Sequence, residues 1–149
     1  MTWVINMSRK GFTLIEMLIV IAIISIIFAS MAINIKGLQN EARVSKARGD
    51  LKTLQIALES YYKNYMYEFP PVDNYQRELI EAIPMVLEGN LIDPFGKTCT
   101  SQYIYKLSPN EDYYIMYSIG ISGRGDAAVS SGGHLNIGAD PVWVSNGNL

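Results

Sequence analysis

Apolar and polar positions divide the chain into stretches of different character. From Met17 to Ile35 nineteen consecutive residues carry no formal charge, and nearly all are Ile, Leu, Val, Ala, Met or Phe. At 1.5 Å rise per residue a helix of that length covers roughly 28 Å, close to the hydrocarbon thickness of a bilayer. Beyond Gly37 the apolar positions become periodic: Val44, Ala47, Leu51, Leu54, Leu58, Tyr61 and Tyr65 step by three and four. Arg43, Lys46, Arg48, Asp50, Lys52, Glu59 and Lys63 lie largely off that stripe, as in an amphipathic helix with one buried face. The stripe is expected to pack on a sheet of the chain's own head rather than in a free coiled coil. Pro70-Pro71 is predicted to end the helix, because proline disfavours helix at its own position and at the one before. Span and stem together predict one helix from about Phe12 to Tyr67, roughly 80 Å long if unbroken.

The rest of the chain reads as a small mixed head. Asn74 to about Ile83 predicts a short helix, capped by Asp73 or Asn74 and limited by Pro84. Glu88-Gly89-Asn90 is a turn, and Leu91 to Gly96 is a turn-rich link. Gln102–Leu107 and Asp112–Ile119 predict two strands of an antiparallel hairpin, joined through Ser108-Pro109-Asn110-Glu111. Their tyrosines suit a sheet covered on one face by the stem helix. Gly120 to Gly133, with five glycines and three serines, predicts a loop. Two short extended pieces are expected near His134–Ile137 and Val142–Val144. The fold class is therefore α+β: a long N-terminal helix packed on a small antiparallel sheet.

At 149 residues the chain has room for one modest domain. Its net charge of −2 hides a division. Glu41 to Lys63 holds five basic and three acidic residues, whereas Asn64 to the end holds four basic and ten acidic ones. An acidic head argues against nucleic-acid binding, which needs clustered Lys and Arg. The basic stretch reads as a solvated helix face, with anionic lipid as the other option. Cys99 has no second cysteine to pair with, and the lone His134 has no second histidine near it. The head shows no His-centred triad, paired metal motif or phosphate-binding loop. Gly120, Gly123 and Gly125 precede no helix pattern, so no catalytic role is expected. Tyr61, Tyr62, Tyr65, Tyr67 and Phe69 crowd the end of the stem, where packing explains them more simply than a path for electrons.

The order of chemistry at the N-terminus is unusual. A short polar leader with Arg9-Lys10 and Gly11 comes first, then Phe12-Thr13-Leu14-Ile15-Glu16, then the apolar run. A secretory signal would place its cut after the apolar region. The basic pair holds the leader on the cytoplasmic side, so the chain beyond Ile35 faces outward. Met1 or Met7 serves equally as the start. A carboxylate at the edge of a membrane helix costs roughly 1–3 kcal/mol unless paired. A cut after Gly11 would free an amine at Phe12, about one helical turn from Glu16. Taken alone, Glu16 fits either a pair with that amine or a carboxylate snorkelling at the headgroups.

Arg-Lys-Gly-Phe-Thr-Leu-Ile-Glu followed by an apolar span resembles the class III signal of type IV pilins and of the pseudopilins of type II secretion. The resemblance covers Arg9 to about Ile35. It implies cleavage by a membrane prepilin peptidase after Gly11, methylation of the Phe12 amine, and pairing of Glu16 with a neighbouring subunit's N-terminus. Residues 1–11 would be a cytoplasmic leader, 12–37 a membrane and filament-core helix, and 38–149 an extracytoplasmic pilin-like domain. Many relatives have proline where this chain has Ile33; Asn34 and Gly37 are weak helix formers that would loosen the helix instead.

Asp93-Pro94-Phe95-Gly96, Tyr117-Ser118-Ile119-Gly120 and Asn136-Ile137-Gly138 resemble the C-terminal half of the major pseudopilin of type II secretion. That resemblance implies a homopolymeric filament in the periplasm that pushes proteins outward. Its partners would be minor pseudopilins, an inner-membrane assembly platform, a cytoplasmic ATPase acting indirectly, and membrane lipid before assembly. A type IV pilin or competence pseudopilin, for adhesion, motility or DNA uptake, is the alternative within the class. A single-span membrane protein with a ligand-binding head is the alternative outside it. Relatives bind calcium in the loop after the second strand. The matching positions here are Ser118, Ser122, Asp126 and Asn136, with Ser122 where relatives have an aspartate and Leu135-Asn136 in place of an acidic pair. Calcium takes six to eight oxygens with ample carboxylate charge, so a weakened or lost site is expected.

Overall fold

The computed structural model describes residues 11–32 and 35–148. The leader with Arg9-Lys10 and both possible starts, Met1 and Met7, lies outside the described residues, as do Ile33 and Asn34. Contacts divide the chain into a unit Met1–Leu38 and a unit Gln39–Leu149.

In the first unit, α1 (Leu14–Ala32) is apolar on every side, and its large side chains are exposed all round. Leu14–Met31 has a mean hydropathy of 2.7, enough in length and composition to cross a membrane. The helix hides its own polar groups: Ser25 donates to the Ile21 carbonyl (2.7 Å) and Ser30 to that of Ile27 (2.8 Å). Side-chain hydroxyls bonded back to the helix suit an environment that offers no water.

The second unit is built on α2 (Ile35–Asn64), whose Ala47, Leu51, Leu54, Ala57 and Leu58 are buried as the stripe predicts. Ile56, off the stripe, is exposed. The helix ends at Asn64 rather than at the prolines. Met66 and Tyr67 take left-handed backbone, and Tyr67 donates its N–H to the Tyr62 carbonyl (3.0 Å). Non-glycine residues rarely adopt this conformation. Here the early turn lets Phe69 stack on Tyr62 (4.5 Å between centroids) and meet Tyr114 edge-on (5.1 Å). A 3₁₀ turn at Val72–Asn74 leads into α3 (Tyr75–Glu81). Asn74 is the N-cap of α3, one of the two positions predicted, although its side chain makes no capping bond; the 3₁₀ turn before it begins after Pro71.

Strands β1 (Ile104–Leu107), β2 (Tyr114–Ser118) and β5 (Val142–Ser145) form an antiparallel sheet in the order β1-β2-β5. β3 (Ala127–Val129) and β4 (Leu135–Ile137) form a separate antiparallel pair. β3 lies within the segment predicted as loop, so that reading is corrected; three residues among glycines and serines are too few to show a strand period. β2 is buried along its whole length. Tyr114 and Met116 join the core under α2, and the alternate residues Ile115 and Tyr117 join a second core with Ala127 and Val129 of β3. The head is thus layered: helix, three-stranded sheet, two-stranded hairpin.

Buried phenols crowd the first core. Tyr103 donates to Asp50 of α2 (2.8 Å), and Tyr75 donates to the Tyr103 carbonyl (2.7 Å). Gln76 copies a strand edge, donating to the Leu91 carbonyl (3.0 Å) and accepting from its N–H (2.7 Å). Burial pushes the phenols of Tyr75 and Tyr114 up to about 12, and burial raises Tyr105 as well. In the unfolded chain they ionise near the usual 10. Their contribution to stability is therefore complete below pH 10 and is lost as pH rises from 10 toward 12. The denaturation midpoint of the full chain in detergent is expected to be flat up to about pH 10 and to fall above it. A midpoint constant to pH 12 would contradict this packing.

Candidate functional site

The chain enters α1 through Gly11, Phe12 and Thr13, which are not helical, and the Phe12 side chain is exposed. Thr13 caps the helix. Its hydroxyl accepts from the Glu16 N–H (3.3 Å), while Glu16 Oε2 accepts from the Thr13 N–H (2.9 Å) and the Thr13 hydroxyl (2.9 Å). This reciprocal arrangement is a capping box, which satisfies amide groups that a helix start leaves without partners. The carboxylate is thereby turned back onto Thr13 at the chain entry. The structure places Gly11, Phe12, Thr13 and Glu16 in one short segment. Thr13 is the member that sequence reading passed over, although a threonine three residues before a glutamate is the sequence signature of such a cap.

The residues of the head loop are engaged with one another and with the central sheet. Ser118 is fully buried, and its hydroxyl donates to Asp93 Oδ1 (2.7 Å). Asp93 Oδ1 also accepts from the Phe95 N–H (2.9 Å), and Oδ2 accepts from that of Ile119 (3.3 Å). The two motifs Asp-Pro-Phe-Gly and Tyr-Ser-Ile-Gly are therefore bonded to each other. Ser122 accepts from the Arg124 N–H (3.3 Å) and is exposed. Asn136, also exposed, lies opposite Ala128 in the β3–β4 pair.

Asp126 Oδ1 accepts from Lys106 Nζ (2.8 Å), from the Tyr117 hydroxyl (2.9 Å) and from the Ala127 N–H (2.9 Å). Lys106, then Tyr117, hold its carboxyl below the usual range, and the Asp126 bond in turn raises the Lys106 ammonium. In this structure Ser118 is bonded to Asp93, Ser122 to the Arg124 N–H and Asp126 to Lys106, and Asn136 pairs with Ala128. Among the described residues no group of three His, Cys, Asp or Glu side chains is placed to hold a metal ion.

Residues 6–32 match the family described as the prokaryotic N-terminal methylation motif. The type II secretion system core protein G of Pseudomonas aeruginosa is 26% identical over 132 residues, covering 78% of this chain and 87% of its own length. The protein of the same name from Escherichia coli is 32% identical over 75 residues, covering 50% of this chain and 51% of its own length. No solved structure matches the chain at a significant level. A methylation motif laid over the capped start of an apolar helix, with similarity to a core protein G along most of the chain, supports a pseudopilin.

Proposed function

We propose that this chain is the major pseudopilin of a type II secretion system, a structural filament subunit rather than an enzyme. One observation carries the reading: the methylation motif at residues 6–32 occurs in a chain similar to core protein G over 87% of that protein's length. In this reading residues 1–11 are a cytoplasmic leader that a prepilin peptidase removes after Gly11. The new N-terminus, Phe12, is methylated. Residues 12–37 hold the subunit in the inner membrane until assembly and then pack in the filament core, and 38–149 form the periplasmic head.

Glu16 is the assembly residue. The amine freed at Phe12 is the first cation near its carboxylate, and a neighbouring subunit's amine offers the same charge. Thr13 keeps the carboxylate satisfied in the lipid phase until that exchange. Minor pseudopilins, an inner-membrane platform and a cytoplasmic ATPase acting through it are the partners such a filament requires.

Deleting the gene for this chain is expected to retain exported proteins in the periplasm, and restoring it to return them to the medium. Undiminished secretion together with lost motility or DNA uptake would reject the secretion reading in favour of a pilus or competence filament.

A further inference from the structure

We infer that the Lys106 ammonium occupies the structural role of a divalent cation in this head, tying the β3–β4 hairpin to the central sheet without metal. The starting observation is a lysine in an unexpected place. Along β1, Tyr105 and Leu107 point to the α2 core, whereas Ile104 packs in the second core under the hairpin. Lys106 shares the face of Ile104, a position that strand alternation assigns to an apolar residue. Its register partner is Ile115, and Tyr117, the partner of Ile104, is its diagonal neighbour on the same face.

From there Lys106 Nζ reaches Asp126 Oδ1 (2.8 Å) and the Ala127 carbonyl (3.0 Å), and it lies 5.4 Å from the Tyr117 ring centroid. A carboxylate and a backbone carbonyl are the oxygens a hard cation selects; the aromatic face adds a third contact suited to an ammonium. Tyr117 also donates to the same carboxylate oxygen (2.9 Å), and the Asp126 carbonyl accepts from Gly138 beyond β4 (2.8 Å). Asp126 therefore meets β1 through the Lys106 charge, β2 through the Tyr117 hydroxyl and the residue after β4 through its own carbonyl.

The side chains of Lys106 and Asp126 are 40% and 76% exposed. An isolated pair in that setting contributes little, so the effect depends on the network around it. The serine positions that would complete a metal cage are committed elsewhere, Ser118 to Asp93 and Ser122 to the Arg124 N–H. A head held this way keeps its stability whatever the free divalent concentration.

The test uses the full chain in detergent. All ten tyrosines lie beyond residue 60, so near-ultraviolet dichroism follows the head. The parent's thermal midpoint is expected to be the same in excess calcium and in chelator. Lys106→Met should lower it by roughly 5 °C, and Asp126→Asn by a similar amount. The double variant should fall no further than either single one, because the two changes remove one shared contact. Lys106→Gln serves as a second variant if Lys106→Met fails to fold. A parent midpoint that drops in chelator, single variants with the parent's midpoint, or fully additive losses would each overturn the inference. The readout involves no secretion, so its failure is separable from that of the filament reading.

Discussion

Glu16→Ala is expected to leave the subunit inserted and cleaved but to reduce filament formation by more than tenfold. The carboxylate lies in the first turn of α1, and the next charge along the sequence is Lys36. Holding it there costs roughly 1–3 kcal/mol unless it is paired. Thr13 satisfies it within the subunit through two bonds to Oε2, and the helix N-terminus favours its charge. In the proposed filament, removing it would leave the N-terminal amine freed at Phe12 with no carboxylate to meet in the apolar core.

Glu16→Gln separates charge from capping. The amide still accepts from the Thr13 N–H and hydroxyl, so it preserves the cap while abolishing the ion pair. Charge pairing predicts that Gln assembles as poorly as Ala; a merely structural cap predicts that Gln assembles like the parent. The fraction of processed subunit that crosslinks into multimers in intact cells gives the answer. Glu16→Ala filaments in normal yield would end the pairing argument.

Asp93→Ala is expected to have the largest effect on the head itself, about 3 kcal/mol, which corresponds to a fall of about 10 °C in the midpoint. Asp93 is 4% exposed, and its carboxylate accepts from the Ser118 hydroxyl and from the amides of Phe95 and Ile119. Alanine leaves those three donors facing an apolar gap, and each unsatisfied buried group costs about 1–3 kcal/mol. Asp93→Asn keeps one acceptor oxygen and should lose about 1 kcal/mol. The segment after Ser118 has little freedom to compensate. Gly120 has φ +70°, and a Cβ there would come within 2.1 Å of the Asp140 carbonyl oxygen, so the chain crosses itself tightly at that point. Equal midpoints for Asp93→Ala and the parent would show that the two motifs are not held together through this carboxylate.

The elements legible in the sequence are those whose signal is local and periodic. The uncharged run at Met17–Ile35, the stripe from Val44 to Tyr65 and the β1–β2 hairpin with its Ser108–Glu111 turn each declare themselves within one continuous stretch of chain. What was not legible depends on partners far along the chain. α2 ends at Asn64 because Phe69 stacks on Tyr62 and Tyr114, an arrangement that no local propensity encodes. β3 exists because its three residues pair with β4 and cover Ile115 and Tyr117. At the candidate sites, Gly11, Phe12 and Glu16 were readable from their order before the apolar run. The bond from Ser118 to Asp93 spans 25 residues and that from Lys106 to Asp126 spans 20, so motif reading singled out Ser118, Asp93 and Asp126 without showing what each one holds.

The most direct test of the account is the intact mass and N-terminal sequence of the mature subunit recovered from native membranes. The expected chain begins at Phe12, carries one methyl group on its amine and retains the whole apolar helix. A mature chain that keeps residues 1–11, or one cut beyond the apolar helix as a secretory signal would be, would contradict it.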